Sequence, residues 1–210
     1  KVKDVKIRCY LFLRYQEFYE GASETIRGNK FTIDQYINWY QDNFKNKDMF
    51  TYAYDWCGFN IPSTSIEECL NRINDPNEYD RIMKQIFSVI KMDNNDNDFY
   101  LLGVDSLKSD LLDHEMAHGM YFTDNNYKNQ MDKLTISLPE ETKSELDKII
   151  TNMGYNSIVI TDEIQAYMST GLTELMSKLP NISNHIQKYK KVFNSFLKKN
   201  KHPKEIKMDW

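Results

Sequence analysis

The segment Leu111–Tyr121 constrains this chain most, because it combines an apolar helical stretch with two histidines four residues apart. It contains the motif HEMAH at residues 114–118, and most of the surrounding residues are uncharged. Residues four apart on a helix lie on the same face, so both imidazoles can reach one cation. We therefore predict a mostly buried helix over residues 106–122, opened by Ser106, that carries half of a metal site.

Glu115 has a different place from the two histidines. It is rotated by about 100° from His114 around the helix axis, so its carboxylate can reach a water in an open coordination position rather than the metal. Zinc lowers the pKa of such a water, and the carboxylate can take its proton. The pattern thus predicts that His114 and His118 bind Zn2+ and that Glu115 is the general base. The alternative, two histidines on a surface helix, would require more charged residues between Leu111 and Phe122.

A catalytic zinc usually keeps three protein ligands, and Glu163 is our prediction for the third. It lies at the start of a predicted helix, and the small Ala166 one turn later would let that helix pack closely on the HExxH helix. The alternative is an ordinary acidic residue that favours the positive end of the helix dipole.

Three other residues compete with Glu163. Asp124 stands six residues after His118, as the third ligand does in the metzincin pattern, but Tyr121 occupies the place where that pattern needs a glycine. His185 lies in a lysine-rich helical segment and His202 in the polar C-terminal tail. Neither has a supporting motif.

Strand-like patterns concentrate before residue 105 and helix-like patterns after it. Predicted strands are Val5–Leu13, Met49–Trp56 with an extension over Gly58–Pro62, and Phe99–Val104. Predicted helices are Thr32–Phe44, Ser65–Ile73, 75–92, 106–122, 138–153, Thr161–Thr170, Leu172–Leu179 and Ile182–Leu197. This segregation predicts an α+β fold in one domain of 210 residues. A sheet-bearing N-terminal lobe (roughly 1–122) and a helical C-terminal lobe (123–210) would have the active-site helix between them.

Polar residues at helix boundaries support these assignments. The predicted N-caps are Thr32 with Gln35, Ser65 with Glu68, Asp75 before Pro76, and Thr161. Gly154 is expected to end one helix, and the three polar residues from Asp124 to Asn126 are expected to stop the HExxH helix.

Composition and charge exclude several classes of function. The formal net charge of -4 disfavours a nucleic-acid binder, and no apolar run approaches the roughly 18–20 residues of a membrane span. The three cysteines are too widely spaced for a disulfide framework, which favours free thiols and slightly favours a cytoplasmic location; the alternative is a secreted protein with one disulfide. The lysines between Lys178 and Lys207 indicate an amphipathic helix with a solvated face, the alternative being contact with an acidic partner.

An HExxH motif followed by a glutamate on a later helix resembles the zincin superfamily of metallopeptidases, and specifically its gluzincin arm. The resemblance rests on Leu111–Met120 and Asp162–Tyr167, with a compatible strand at Phe99–Val104. It implies a zincin-like fold and a zinc-dependent peptidase acting on protein or peptide substrates. The exopeptidase motif Gly-x-Met-Glu-Asn of the aminopeptidase arm is absent from the sequence, which favours an endopeptidase.

The same resemblance implies a tyrosine that stabilises the oxyanion, for which Tyr155 and Tyr167 are nearest in sequence to Glu163. Either ring can instead be an ordinary packed aromatic. Thermolysin-type enzymes place an aspartate four residues after the ligand glutamate to orient a ligand histidine, and Tyr167 stands there in this chain. Another acid or a backbone carbonyl must therefore orient the histidine.

Two other interpretations of the motif stay open. A catalytically degenerate zincin fold could serve as a protein-binding module, although such a module has no need of the Glu115 carboxylate. A lysine-rich interaction protein could also carry the HExxH motif by accident.

Overall fold

A computed structural model of the chain describes residues 5–43, 49–56, 58–104 and 110–199. The chain divides into two compact units, Val2–Asp105 and Ser106–Trp210, which we call the N-terminal and the C-terminal unit. The boundary between the units lies before the HExxH helix, whereas the predicted boundary between the lobes lay after it. All the residues predicted for the metal site belong to the C-terminal unit.

The described part of the N-terminal unit contains five helices and two short strands. They are α1 (Val5–Glu20), α2 (Ile33–Asn43), α3 (Tyr52–Asp55), β1 (Gly58–Pro62), α4 (Ser63–Arg72), α5 (Glu78–Asp93) and β2 (Tyr100–Val104). The strands pair antiparallel, with Ile61 opposite Leu101. Helix α1 packs on α3, α4, α5 and β1, so it forms the centre of this unit.

Helix α1 occupies the segment for which a strand was predicted at Val5–Leu13, and that prediction was wrong. Every residue in the range Leu11–Phe18 is buried, including the charged Arg14 and Glu17. Lys6 and Ile7 near the start of α1 are exposed, whereas the later part is buried on all sides, so the helix as a whole has no one-sided apolar stripe and its short stretch of alternation resembled a strand. The guanidinium of Arg14 lies 3.4 Å from the buried carboxylate of Asp80, which compensates part of the cost of burying both charges.

The aromatic segment Met49–Trp56 does not form the predicted strand either, since its described residues contain one helical turn, α3. Tyr52 of this turn is buried, and its ring meets those of Tyr36 and Tyr40 edge-on with centroids 5.5 Å apart in both pairs. The segment is thus fixed by aromatic packing rather than by backbone pairing.

The predicted strands at Gly58–Pro62 and Phe99–Val104 are present as β1 and β2. Gly103 of β2 faces α1, where a Cβ atom would lie only 2.8 Å from the ring of Phe12. A side chain at this position would displace the ring, so glycine permits the close approach of the strand to the helix.

The described part of the C-terminal unit is entirely helical. Its helices are α6 (Asp110–Thr123), α7 (Asn125–Ile136), α8 (Glu140–Asn152), α9 (Ile160–Thr170), α10 (Glu174–Ser177) and α11 (Ile182–Leu197). Helix α9 lies at the centre, because α6, α7, α8 and α11 all pack against it. It buries the polar Glu163 and Gln165 beside Ile164, Ala166 and Met168. Polar groups in such a core need specific partners.

Helix α7 was not predicted from the sequence, unlike the other described helices of the C-terminal unit. Asp124 ends α6, as predicted, but it also begins α7 as its N-cap. Its carboxylate accepts hydrogen bonds from the backbone N–H groups of Asn126 at 2.9 Å and Tyr127 at 3.1 Å. The polar run from Asp124 to Asn126 is therefore a junction between two helices.

Of the predicted N-caps, the pair Thr32 and Gln35 is confirmed, since each side chain bonds the other residue's backbone N–H. The others are wrong: α4 starts after Pro62 rather than at Ser65, α5 is capped by Asn77 rather than Asp75, and α9 starts after Val159 rather than Thr161. Asn77 replaces Asp75 because its extended backbone allows reciprocal bonds with Asp80. The predicted start at Ser106 lies outside the described residues.

The described chain is mostly helical with a small two-stranded antiparallel sheet, an architecture compatible with the α+β class. The sheet is smaller than predicted because α1 and α3 replace two of the predicted strands. Within the described ranges, no helix has the length and apolar character needed to cross a membrane. Cys9 and Cys69 are buried free thiols, and Cys57 lies outside the described residues.

Candidate metal centre

Helix α6 holds His114, Glu115 and His118 within the C-terminal unit. Glu115 and His118 are 4% and 2% exposed, and Met116 and Ala117 between them are buried as well. The side chain of His114 is less enclosed, at 15% exposed. The motif itself is therefore largely buried, as predicted, whereas most of the other described residues of α6 are half-buried.

Helix α9 brings Glu163 to the same place, although it lies 45 positions after His118 in the sequence. Glu163 lies in the first turn of the helix and is 1% exposed. Ala166 of α9 and Ala117 of α6 are completely buried in the core on which these two helices pack. Small side chains on both helices fit the close packing that was expected from Ala166.

The donor atoms of the three side chains converge. Nε2 of His114 and Nε2 of His118 are 3.3 Å apart, and the Glu163 carboxylate lies 3.8 Å and 3.6 Å from them. All three donors lie within 4.8 Å of one another, and they are the only such group of three or more among the described residues. Ligands about 2.0–2.2 Å from a tetrahedral zinc are separated by about 3.3–3.6 Å. The two imidazole nitrogens have that spacing. The carboxylate distances, 3.8 Å from Oε2 to His114 and 3.6 Å from Oε1 to His118, lie at or slightly above it, so the three side chains are close to the spacing that one zinc ion requires.

A second observation on Glu163 also fits a cation. Its Oε2 is buried and accepts no hydrogen bond from the described residues. A buried carboxylate oxygen without a donor is costly, and a bound cation would remove that cost. The donor set of two imidazoles and one carboxylate is one that zinc prefers in catalytic sites.

The second ring nitrogen of His118 lies against Asp162, the residue before Glu163. Nδ1 of His118 is 3.0 Å from Oδ1 of Asp162, which is an ion-pair contact although it is not aligned as a straight hydrogen bond. A carboxylate at Nδ1 favours a proton on that nitrogen and leaves Nε2 as the donor toward a metal. Of the two possibilities that the sequence left open for orienting a histidine, an acid or a backbone carbonyl, the structure has an acid, Asp162, at His118.

The second ring nitrogen of His114 has a different partner. Its Nδ1 lies 3.3 Å from the hydroxyl of Thr170, the last residue of α9. That hydroxyl donates its own proton to the carbonyl of Ala166 at 2.8 Å, so it accepts a hydrogen bond from Nδ1. This arrangement places the proton of neutral His114 on Nδ1, so its Nε2, which lies 3.3 Å from Nε2 of His118, carries the lone pair that a metal would bind.

The buried acids make the site favourable for a positive charge. Burial lowers the pKa of His118, but the carboxylates of Asp162, Glu163 and Glu115 outweigh this effect and raise it well above its usual 6.5. Burial, followed by the charge of His118, lowers the pKa of His114 to about 3. Burial raises the pKa of Glu163 to about 8, with His118 opposing. The proton held at His118 marks a position that a metal cation can occupy instead.

Glu115 does not belong to the converging donors, although it lies within electrostatic range of them. Its carboxylate helps to raise the pKa of both Glu163 and His118, although its effect is smaller than those of burial and of Asp162. A buried carboxylate beside the ligand set, but outside it, has the placement expected of a general base.

Tyr155 and Tyr167 form a pair beside His114. The Tyr167 ring centroid is 4.7 Å from that of His114, and its hydroxyl is 3.4 Å from the hydroxyl of Tyr155. Burial, and to a smaller degree the charges of Glu163 and Glu115, raise the pKa of Tyr167 to about 12. Tyr167 therefore keeps its hydroxyl proton at neutral pH.

The competing ligand candidates lie elsewhere or outside the description. Asp124 uses its carboxylate to cap α7, and His185 lies on α11; neither belongs to the converging group. His202 lies outside the described residues. Asp162 and Thr170 were not assigned from the sequence. Only Asp162 had a sequence signal, because it is an acid directly before the predicted ligand Glu163.

Comparisons with known proteins leave the zincin resemblance resting on these residues alone. No protein-family model matches the chain, and no significant match was found among curated proteins or solved structures.

Proposed function

We propose that this protein is a zinc-dependent peptidase in which His114, His118 and Glu163 bind the ion. The observation that carries the proposal is the convergence of their three donor atoms within 4.8 Å. The outer nitrogens of both histidines already contact Asp162 and Thr170, so the inner nitrogens are oriented for a metal without rearrangement.

Glu115 is the general base in this proposal. A bound zinc would supply a water of lowered pKa and would polarise the carbonyl of the scissile peptide bond. The Glu115 carboxylate would accept the proton of the attacking water and deliver it to the leaving amine. At 4% exposed it is shielded from bulk solvent, which favours this transfer over exchange with outside water.

Tyr167 is our candidate for the group that stabilises the oxyanion. It holds its proton at neutral pH and its ring lies against His114, so it can donate a hydrogen bond beside the ligand set. Tyr155 would orient it through the contact between the two hydroxyls. Peptide bonds as the substrate, and endopeptidase action, follow from the resemblance to the gluzincin arm of the zincins.

Metal analysis of the purified protein tests the metal site. We expect close to one zinc per chain for the wild type and none for the double variant His114→Ala, His118→Ala. His185→Ala is the matched control, because it removes a half-buried histidine of the same unit that lies outside the donor group. Full zinc content in the double variant would contradict the proposed site.

Hydrolysis of a protein substrate by Glu115→Gln tests the proposed chemistry. The amide keeps the shape of the side chain but cannot accept a proton, so zinc content should persist while turnover falls by about 10²–10⁴-fold. Glu141→Gln, an exposed acid of the same unit, should match the wild type. Equal turnover by Glu115→Gln would exclude Glu115 as the base. Zinc binding without any hydrolysis would favour the binding-module alternative.

A further inference from the structure

A chain of buried polar side chains leads away from His118 on the Nδ1 side of its ring. Asp162 contacts Nδ1 at 3.0 Å and accepts a hydrogen bond from Nε2 of Gln165 at 2.8 Å. Oε1 of Gln165 in turn accepts a hydrogen bond from the hydroxyl of Tyr127 at 2.8 Å. The chain therefore connects a proposed metal ligand on α6 to a phenol on α7 through two residues of α9.

Gln165 is an unusual residue for its position. It is completely buried between Ile164 and Ala166, which are also completely buried, so an apolar side chain would suit the surrounding core. Burying an amide is costly unless both of its ends are hydrogen-bonded. Both ends of Gln165 are used, and both bonds belong to the chain that leads to His118.

Tyr127 is likewise a buried residue whose polar group the surrounding core does not require. It is also 0% exposed, and its ring packs against that of Phe196 at 5.3 Å between centroids. Phenylalanine would make the same ring contact, so the packing does not account for the hydroxyl. The hydroxyl donates to Gln165, and this bond fixes which end of the amide faces Asp162.

Asp162 needs such a restraint because a second position competes for its carboxylate. It lies in the first turn of α9, where backbone N–H groups have no partner within the helix. The preceding Val159 provides no side-chain cap for these groups. An aspartate near uncapped N–H groups tends to bond them, which would turn its carboxylate away from His118.

We propose that Gln165 and Tyr127 are positioning residues of the metal centre. They hold the Asp162 carboxylate against Nδ1 of His118, and thereby hold Nε2 toward Glu163 and His114. This inference rests on the proposed function, since it assumes that the converging donors bind a metal.

Zinc affinity and the visible absorption spectrum of the Co2+-substituted protein test this inference without any measurement of activity. The variants are Gln165→Met, which keeps the length of the side chain, and Tyr127→Phe, which removes one hydroxyl. The matched control is Tyr189→Phe, because Tyr189 is also buried in this unit and its hydroxyl also makes one side-chain hydrogen bond, to Thr135 at 3.1 Å. Each protein competes with a chelator for zinc at a fixed pH.

We expect Gln165→Met to weaken zinc binding by about tenfold, the lower end of the range for residues that orient metal ligands, and Tyr127→Phe by about threefold. Both should alter the cobalt spectrum, while Tyr189→Phe should match the wild type in both measurements. Wild-type affinity and spectrum in both variants would overturn the positioning role and leave the proposed function standing. An equal loss in Tyr189→Phe would also overturn it, since the effect would then be general destabilisation. If the wild type binds neither metal, the proposed function itself fails.

Discussion

The buried carboxyl group of Glu17 gives a stability prediction that does not depend on a metal. Burial raises its pKa from the usual 4.5 to about 7, although hydrogen bonds from Tyr52 and Tyr36 act in the opposite direction. The Tyr52 bond is 2.6 Å long. Because the pKa is higher in the folded state, the folded protein keeps a proton that the unfolded chain loses between pH 4.5 and about 7. Through this group, stability is greatest below pH 4.5 and falls as the pH rises to about 7.

Replacing Glu17 by Gln removes the titration and keeps an oxygen that can accept the bond from Tyr52. The interval from 4.5 to about 7 corresponds to about 3 kcal/mol of unfolding free energy, at roughly 1.4 kcal/mol per pH unit. We expect Glu17→Gln and the wild type to be similarly stable at pH 4.5. At pH 8 the variant should be more stable by up to about 3 kcal/mol, less any cost of the new amide N–H groups.

Urea unfolding between pH 4.5 and pH 8, followed by near-ultraviolet circular dichroism of the aromatic residues, measures this difference. A chelator in every sample removes any contribution from metal. Glu24→Gln, an exposed acid of the same unit, is the control and should differ from the wild type equally at all pH values. A Glu17→Gln difference that does not grow with pH would show that the folded protein does not bury this carboxylate at a cost, and the reasoning would be refuted.

Four further substitutions give predictions of known direction. Glu163→Ala should weaken zinc binding far more than Asp124→Ala in equilibrium dialysis, because Asp124 caps α7; the opposite order would restore the metzincin-like ligand. Thr170→Val should weaken zinc binding by about tenfold, and an unchanged affinity would show that this hydroxyl does not orient His114. Tyr167→Phe should keep its zinc and lower kcat by about 10²-fold, whereas a rise in KM alone would contradict an oxyanion role. Gly103→Ala should lower the unfolding free energy of the N-terminal unit by about 1–3 kcal/mol, visible in the urea midpoint, and an unchanged midpoint would show that the Phe12 ring does not resist displacement.

The candidate site was predictable where its signal is local in the sequence. The HExxH spacing alone sets two donors on one helix face, and the small Ala166 indicated that the helix of Glu163 packs closely on it. Asp162 and Thr170 were not assigned, because their partners lie on α6 and a sequence contains no distance between two helices. Tyr127 was out of reach for the same reason, and also because α7 was not predicted.

The fold was predicted less well, and particular residues show why. The alternation from Val5 to Leu13 resembled a strand because α1, exposed near its start and buried on all sides from Leu11 to Phe18, has no continuous polar face that identifies a helix. Helix α7 was missed because Asp124 was interpreted only as a stop. Its apolar residues Tyr127, Met131 and Leu134 have helical spacing, so the signal was present.

The proposed metal ligands and the side chains that contact the ligand histidines lie on two helices, since Asp162, Glu163, Tyr167 and Thr170 belong to α9 and the HExxH residues to α6. The donors come together only while these helices are docked, so an ion that binds only the folded unit would add stability that rises with the logarithm of its free concentration. At a free concentration one hundred times Kd this amounts to about 2.7 kcal/mol. Unfolded chains are removed by cellular proteases, so such a difference changes abundance several-fold. If the proposed site binds zinc, the zinc status of the surroundings would therefore change the half-life of this protein.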